Sequence, residues 1–173
     1  MEEFVVLIDR EDRPIGLMEK QQAHHAGLLH RAFSVFVFNS KGELLIHQRA
    51  AEKYHSPKLW TNTCCSHPRE NETYEQAAHR RLKEEMGFDC AIEEKFHFIY
   101  KAELEPGLFE HELDRVFVGF YEGEMNLNPE EVMDAKWISI EDLKKDMAEN
   151  PDNYTVWFKI IFAEYLSKLK NED

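Results

Sequence analysis

The segment TYEQAAHRRLKEEMGF, residues 73–88, constrains the fold more than any other. It is dominated by residues that lose little rotamer freedom in a helix. Thr73 can cap its start and Gly87 can end it, so the pattern predicts a helix from Thr73 to Met86. The runs on either side have a different period. FVVLID reads as a first strand, turned by Arg13, Pro14, Ile15 and Gly16. RAFSVFVFNSKGELLIHQRA reads as a hairpin, with a β-rich run from Ala32 to Phe38 and a turn at Asn39 to Gly42. After the helix, CAIEEKFHFIYKAEL and EHELDRVFVGFYEGE are strand-like runs parted by Glu105, Pro106 and Gly107. AKWISI gives a short strand, and SIEDLKKDMAEN opens a helix behind a capping serine, Ser139. Thr155 to Lys170 is helical in pattern, with an apolar stripe of Trp157, Ile160, Ile161, Tyr165 and Leu169. Helices set among strands in this order predict an α/β sandwich with a mixed β-sheet. No repeat, low-complexity tract or Gly/Ser linker divides it, so residues 1–173 read as one domain.

Charge narrows the function. With 34 acidic against 21 basic side chains the formal net charge is −13, which argues against a nucleic-acid partner. An anionic ligand would need a local basic pocket within that repelling field. The acidic start MEEFVVLIDRED has an apolar run only a strand long, so neither a signal peptide nor a membrane span is expected. Cys64, Cys65 and Cys90 make no even disulfide framework, which points to a reducing cytoplasm.

The spacing of acids and bases around the helix is specific. Glu72, Arg80, Leu82, Glu84, Glu85, Gly87 and Phe88 resemble the Nudix signature G-x5-E-x7-R-E-U-x-E-E-x-G-U, where U is bulky and apolar. Glu84 and Glu85 on one helical turn can present carboxylates to a divalent cation carrying a diphosphate. Two positions depart from it. Ser66 stands where the signature has its first glycine, and Arg81 where it has a glutamate of the hydrolytic metal cluster. A guanidinium there repels metal and welcomes phosphate. The resemblance therefore implies a Nudix-like α/β/α sandwich, with its core at about 29–163 behind an N-terminal extension, that has lost hydrolysis.

AHHAGLLHRAFSVFVFN, WTNTCCSHP and FEHELDRVF carry a second, narrower resemblance, from about Met18 to Trp157. Together they are similar to type I isopentenyl-diphosphate isomerases, Nudix-fold enzymes without hydrolase activity. By that resemblance His24, His30, His67, Glu110 and Glu112 hold a metal, and Glu85 holds a second cation, Mg²⁺, against the substrate diphosphate. His25 competes with His24 for its place; His24 lies four residues after Lys20, as the family's EK-x-x-x-H pattern expects. Lys20, Arg49, Lys53 and Arg81 match the family's basic positions. Glu112 becomes the acid, Cys65 the base, Tyr100 the residue assisting the acid, and Trp157 a π face for a carbocation.

The residues make sense unaided as well. On a strand Glu110 and Glu112 share one side and His111 takes the other. Cys65 and His67 share a side if their segment is extended. Gly27 permits a reversal that could bring His24 and His30 to one ion. Three imidazoles and two carboxylates suit Mn²⁺ or Zn²⁺ better than Mg²⁺, which prefers oxygen ligands. His47, His55, His79, His97 and His111 lack spaced partners and read as surface or packing residues, and Cys64 and Cys90 as small buried side chains. The expected partner is a small diphosphate; monomer and dimer stay equally open. The rival readings are a Nudix hydrolase of a nucleoside diphosphate derivative and a non-catalytic metal-binding module. Neither accounts for Arg81 and the Cys/His/Glu pattern together.

Overall fold

The computed structural model describes residues 3–169, and there the β-rich runs join in one nine-stranded sheet. Strands β1 (Phe4–Ile8), β2 (Pro14–Glu19), β3 (His30–Phe38), β4 (Leu44–Arg49) and β5 (Trp60–Thr61) lie in the order β2-β1-β3-β4-β5. β6 (Cys64–Ser66) pairs with β3, and β9 (Val132–Ile138) with β4. β7 (Ile92–Glu105) and β8 (Leu108–Phe120) form a long hairpin turned at Pro106 and Gly107. β8 runs parallel to β3 while the other pairings are antiparallel, so the sheet is mixed.

Alternation along β3 builds two cores. Phe33, Val35 and Val37 face Ala77, Ala78, Leu82 and Met86 of the central helical segment. Phe36 faces the other way, into a layer with Val116, Leu143, Phe158 and Ile161. Helices thus cover both faces, as an α/β/α sandwich requires. Phe158 and Ile161 on α4 (Val156–Leu169) are wholly buried, each contributing roughly 1.5–3 kcal/mol. Ile160 and Tyr165 of the expected stripe are half-buried at the margin of this layer. Lys170, the expected last residue of that helix, lies outside the described residues. α3 (Ile140–Glu149) starts where Ser139 Oγ accepts from the Asp142 N–H at 3.1 Å.

Three local expectations need correction. The first reversal is at residues 9–13, where Asp9 Oδ1 accepts from the Glu11 and Arg13 N–H groups. Pro14, Ile15 and Gly16 belong to β2, an edge strand whose beginning tolerates proline. The Asn39–Gly42 turn forms, yet β3 and β4 share only the Phe38–Leu44 rung before diverging to different partners. The central helix divides: α2 (Tyr74–Arg81), capped by Thr73 in a box with Gln76, passes into a π-helical turn over Leu82–Met86. Gly87 ends that turn at φ 72, the left-handed region that favours glycine. Among the described residues no helix is long and apolar enough to cross a membrane.

Candidate active site

Sheet register assembles the site. His30 is the parallel partner of Glu112, Tyr100 the antiparallel partner of Glu112, and Cys65 the antiparallel partner of Ser34. Residues of one parity on β3, β6, β7 and β8 therefore converge on one face of the sheet. This is the face that farther along carries Phe36 and Val116, so the site is the polar end of a hydrophobic layer. His24 comes from α1 (Lys20–Ala26), whose final turn is stopped by Gly27 at φ 66, letting the chain double back to His30.

Four side chains meet there. His24, His30, His67 and Glu112 bring donor atoms within 4.8 Å of one another. Glu112 Oε2 lies 3.1 Å from His30 Nε2, 2.9 Å from His67 Nε2 and 4.0 Å from His24 Nε2. The His30 Nδ1–H donates to the Leu28 carbonyl at 2.8 Å, which fixes the ring with Nε2 turned toward Glu112. Nε2 and the carboxylate oxygen it faces are both donor atoms that one metal ion could share. His24 Nε2 is buried without a hydrogen-bond partner among the described residues. Burial holds His67 down at about 4, outweighing the hydrogen bond to Glu112 that raises it, so its imidazole is neutral and free to ligate. These donors fit a divalent metal.

The second carboxylate is held differently. The Tyr100 hydroxyl lies 2.7 Å from Glu110 Oε1 and 2.8 Å from Glu112 Oε1. One phenolic proton cannot serve both acceptors, so one carboxyl keeps its own. Burial, then the charge of Glu112, pushes Glu110 well up, whereas contacts from the three imidazoles overcome burial and pull Glu112 well down. Glu110 is the protonated member, and it stands outside the four-donor cluster.

Cys65, Glu110, Glu112 and Trp157 line one cavity with Lys20, Arg49, Lys53, Arg81 and Glu85. Cys64, one residue before, is fully buried in the layer under α2. Residues 28–158 match the NUDIX domain family. An isopentenyl-diphosphate Delta-isomerase 2 of Photorhabdus laumondii is 53% identical over 161 residues, 93% of this chain and 91% of that protein. An isopentenyl-diphosphate Delta-isomerase of Pectobacterium atrosepticum is 48% identical over 97% of this chain and 96% of its own length. The chain belongs to the isopentenyl-diphosphate Delta-isomerase family.

Among solved structures, a Deinococcus radiodurans protein titled DR0079 superposes with a TM-score of 0.77 at 20% identity, covering 94% of this chain and 99% of its own. A MutT protein of Methanosarcina mazei gives 0.67 at 16%, over 83% and 96%. At these identities the likeness is one of fold, and the fold is the Nudix one.

In this isomerase-family chain every cation of the cavity with an ion pair is matched by a carboxylate. Lys20 pairs with Glu3 at 2.7 Å, Lys53 with Glu131 at 2.5 Å, and Arg81 with Glu85 at 2.6 Å. Burial disfavours the Arg81 charge, but Glu85 and Glu131 more than restore it. Arg49 donates to the Ser56 and His55 carbonyls and lies 5.2 Å over Trp157. Glu84 and Glu85 do not act together: Glu84 is exposed and pairs with Arg80 and Arg81, while the π-helical turn carries Glu85 inward. His25 is exposed and hydrogen-bonds the Gly107 carbonyl, away from the four donors. Burial also pushes the Cys65 thiol up, with Arg49 opposing.

Sequence reasoning missed several neighbours. His55, read as surface or packing, is buried in the cavity wall, its ring centroid 5.6 Å from His24 and 5.9 Å from Trp157. Tyr54 hydrogen-bonds His24 Nδ1 through its hydroxyl. Asp114 extends the inward parity of Glu110 and Glu112 by one step, and its Oδ2 accepts from Ser34 Oγ at 2.8 Å. That alternation was visible in the sequence. His47 is buried against the Thr63 carbonyl, His111 contacts the Gly27 carbonyl, and Cys90 is half-buried.

Proposed function

We propose that this chain interconverts isopentenyl diphosphate and dimethylallyl diphosphate by adding a proton at the terminal CH₂ and removing one from C2. The carrying observation is that Cys65 and Glu112 line the same buried cavity from different strands. Glu112 acts as the acid. Tyr100 joins it to Glu110, which keeps a proton in this pocket, so a proton can be handed to Glu112 and then to carbon. Cys65 Sγ takes the proton from C2 and must first lose its own, which the positive charge of Arg49 favours. Between the two transfers C3 bears positive charge, and the Trp157 ring stabilises it.

Lys20, Arg49, Lys53 and Arg81 bind the diphosphate, and Glu85 holds the Mg²⁺ that accompanies it. His24, His30 and His67 with Glu112 hold a second ion, Mn²⁺, Zn²⁺ or Mg²⁺; Glu110 completes the set once its proton has passed through Tyr100 to Glu112. A bound divalent ion there withdraws charge from its carboxylate ligand and makes a carboxyl proton easier to release. The three cysteines are free, in keeping with work in a reducing cytoplasm. Hydrolysis is disfavoured by Arg81, whose Nε and Nη2 both bind Glu85 Oε2 where a hydrolase would place another carboxylate.

Reaction in D₂O with Mg²⁺ and Mn²⁺ tests the proposal. Deuterium is expected in the dimethylallyl diphosphate, without release of phosphate. Phosphate release from nucleotide substrates at a comparable rate would overturn it.

A further inference from the structure

Glu131 has no place in the signature, yet it sits between two of the cations assigned to the diphosphate. Its Oε2 lies 2.5 Å from Lys53 Nζ and 3.4 Å from Arg81 Nη2. All three side chains line the cavity and are mostly shielded from solvent, at 21%, 23% and 14% exposure for Lys53, Glu131 and Arg81. The two cations come from separate segments: Lys53 follows β4, and Arg81 ends α2.

The backbone of Glu131 is tied to both segments. Its carbonyl accepts from the Ala50 N–H at 3.0 Å, and the Lys53 N–H donates to the Ala50 carbonyl. Its N–H donates to the Asn128 carbonyl, while the Asn128 N–H donates to the Glu85 carbonyl at 2.9 Å. The Glu131 carboxylate is therefore held where two like charges would otherwise repel. Lys53 gains most, since a free lysine has much rotamer freedom to lose on gripping an anion.

We infer that Glu131 is a positioning residue for diphosphate recognition, keeping Lys53 and Arg81 aimed at one point before substrate arrives. This rests on the isomerase reading of the cavity. A carboxylate beside an anion site also repels the anion. The substrate diphosphate arrives with a divalent cation that cancels most of its charge, so the lost orientation of two donors outweighs the relief of repulsion.

The test uses the full chain loaded with metal. Glu131→Gln is expected to raise KM for isopentenyl diphosphate and the inhibition constant of magnesium pyrophosphate together, about tenfold, while kcat changes much less. In a Lys53→Met background the same change is expected to add distinctly less than in the parent, because only the longer contact to Arg81 is left to lose. A purely structural role would instead lower Tm, spread the loss over kcat, and add fully to Lys53→Met. Unchanged or tighter pyrophosphate binding, or full additivity, overturns the inference. A wild-type chain that binds pyrophosphate but does not isomerise would instead count against the isomerase reading.

Discussion

Cys64 packs in the layer beneath α2, with Leu82 and Met86 in the same cluster, while Cys65 reaches the cavity that contains Glu112. The two sulfurs differ by one step along β6, and a strand sends successive side chains to opposite faces. Cys65→Ala is expected to abolish isomerisation, by 10³-fold or more on the order expected for losing an essential acid–base group, with fold and bound metal intact. Cys64→Ala is expected to keep most activity and to lose roughly 1 kcal/mol of stability, read by denaturant titration. Equal losses in the two variants would sink the assignment. Parity made much of this legible in advance: Cys65 with His67, and Glu110 with Glu112, are placed by alternation alone. Tyr54, His55 and Glu131 were not legible, because their positions depend on loops that fold against α1, α4 and the π-helical turn. No period in the sequence encodes that docking.

At the scale of elements, the π-helical turn was the least foreseeable feature. The residues of Leu82–Met86 are ordinary helix formers, and nothing in their spacing marks a change of hydrogen-bond pattern. Its end at Gly87 was legible, and the structure adds a second reason for that glycine. A Cβ there would come within 2.3 Å of the carbonyl oxygen of Asn126, a residue whose N–H donates to the Met86 carbonyl. Gly87→Ala thus combines left-handed strain with a backbone clash, and a loss of about 2–4 kcal/mol is expected by thermal or denaturant melts. Because the same segment reaches Glu85 through Asn128, KM should rise as well. A variant as stable as the parent would show that the Asn126 segment is free to move aside.

For the whole molecule, the proposed metal ligands tie four segments: α1 through His24, β3 through His30, the end of the β6 segment through His67, and β8 through Glu112. Binding to the folded state alone stabilises it by about 2.7 kcal/mol when free ion is a hundredfold above its dissociation constant. For a chain of this size that is a Tm rise of roughly 5–10 °C. Chelation is expected to remove that rise, and His67→Ala to abolish it while leaving the metal-free Tm near that of the parent. A metal-dependent rise surviving in His67→Ala would show that the ion binds elsewhere. The α/β class and the order of elements were legible from the alternation of periods. The parallel pairing of β3 with β8 was not, since nothing local joins His30 to Glu112.

That pairing has a cost in time. His30 and Glu112 stand 82 residues apart, and β8 occupies one edge of β3 along its whole length. A chain leaving the ribosome presents β3 first, with Val35, Phe36 and Val37 already made and no partner yet on that side. At 5–20 residues per second the wait for Glu112 lasts roughly 4–16 s. Throughout it the nascent chain offers an apolar strand edge to any neighbour, so crowded, fast expression is where this protein is most exposed to misassembly.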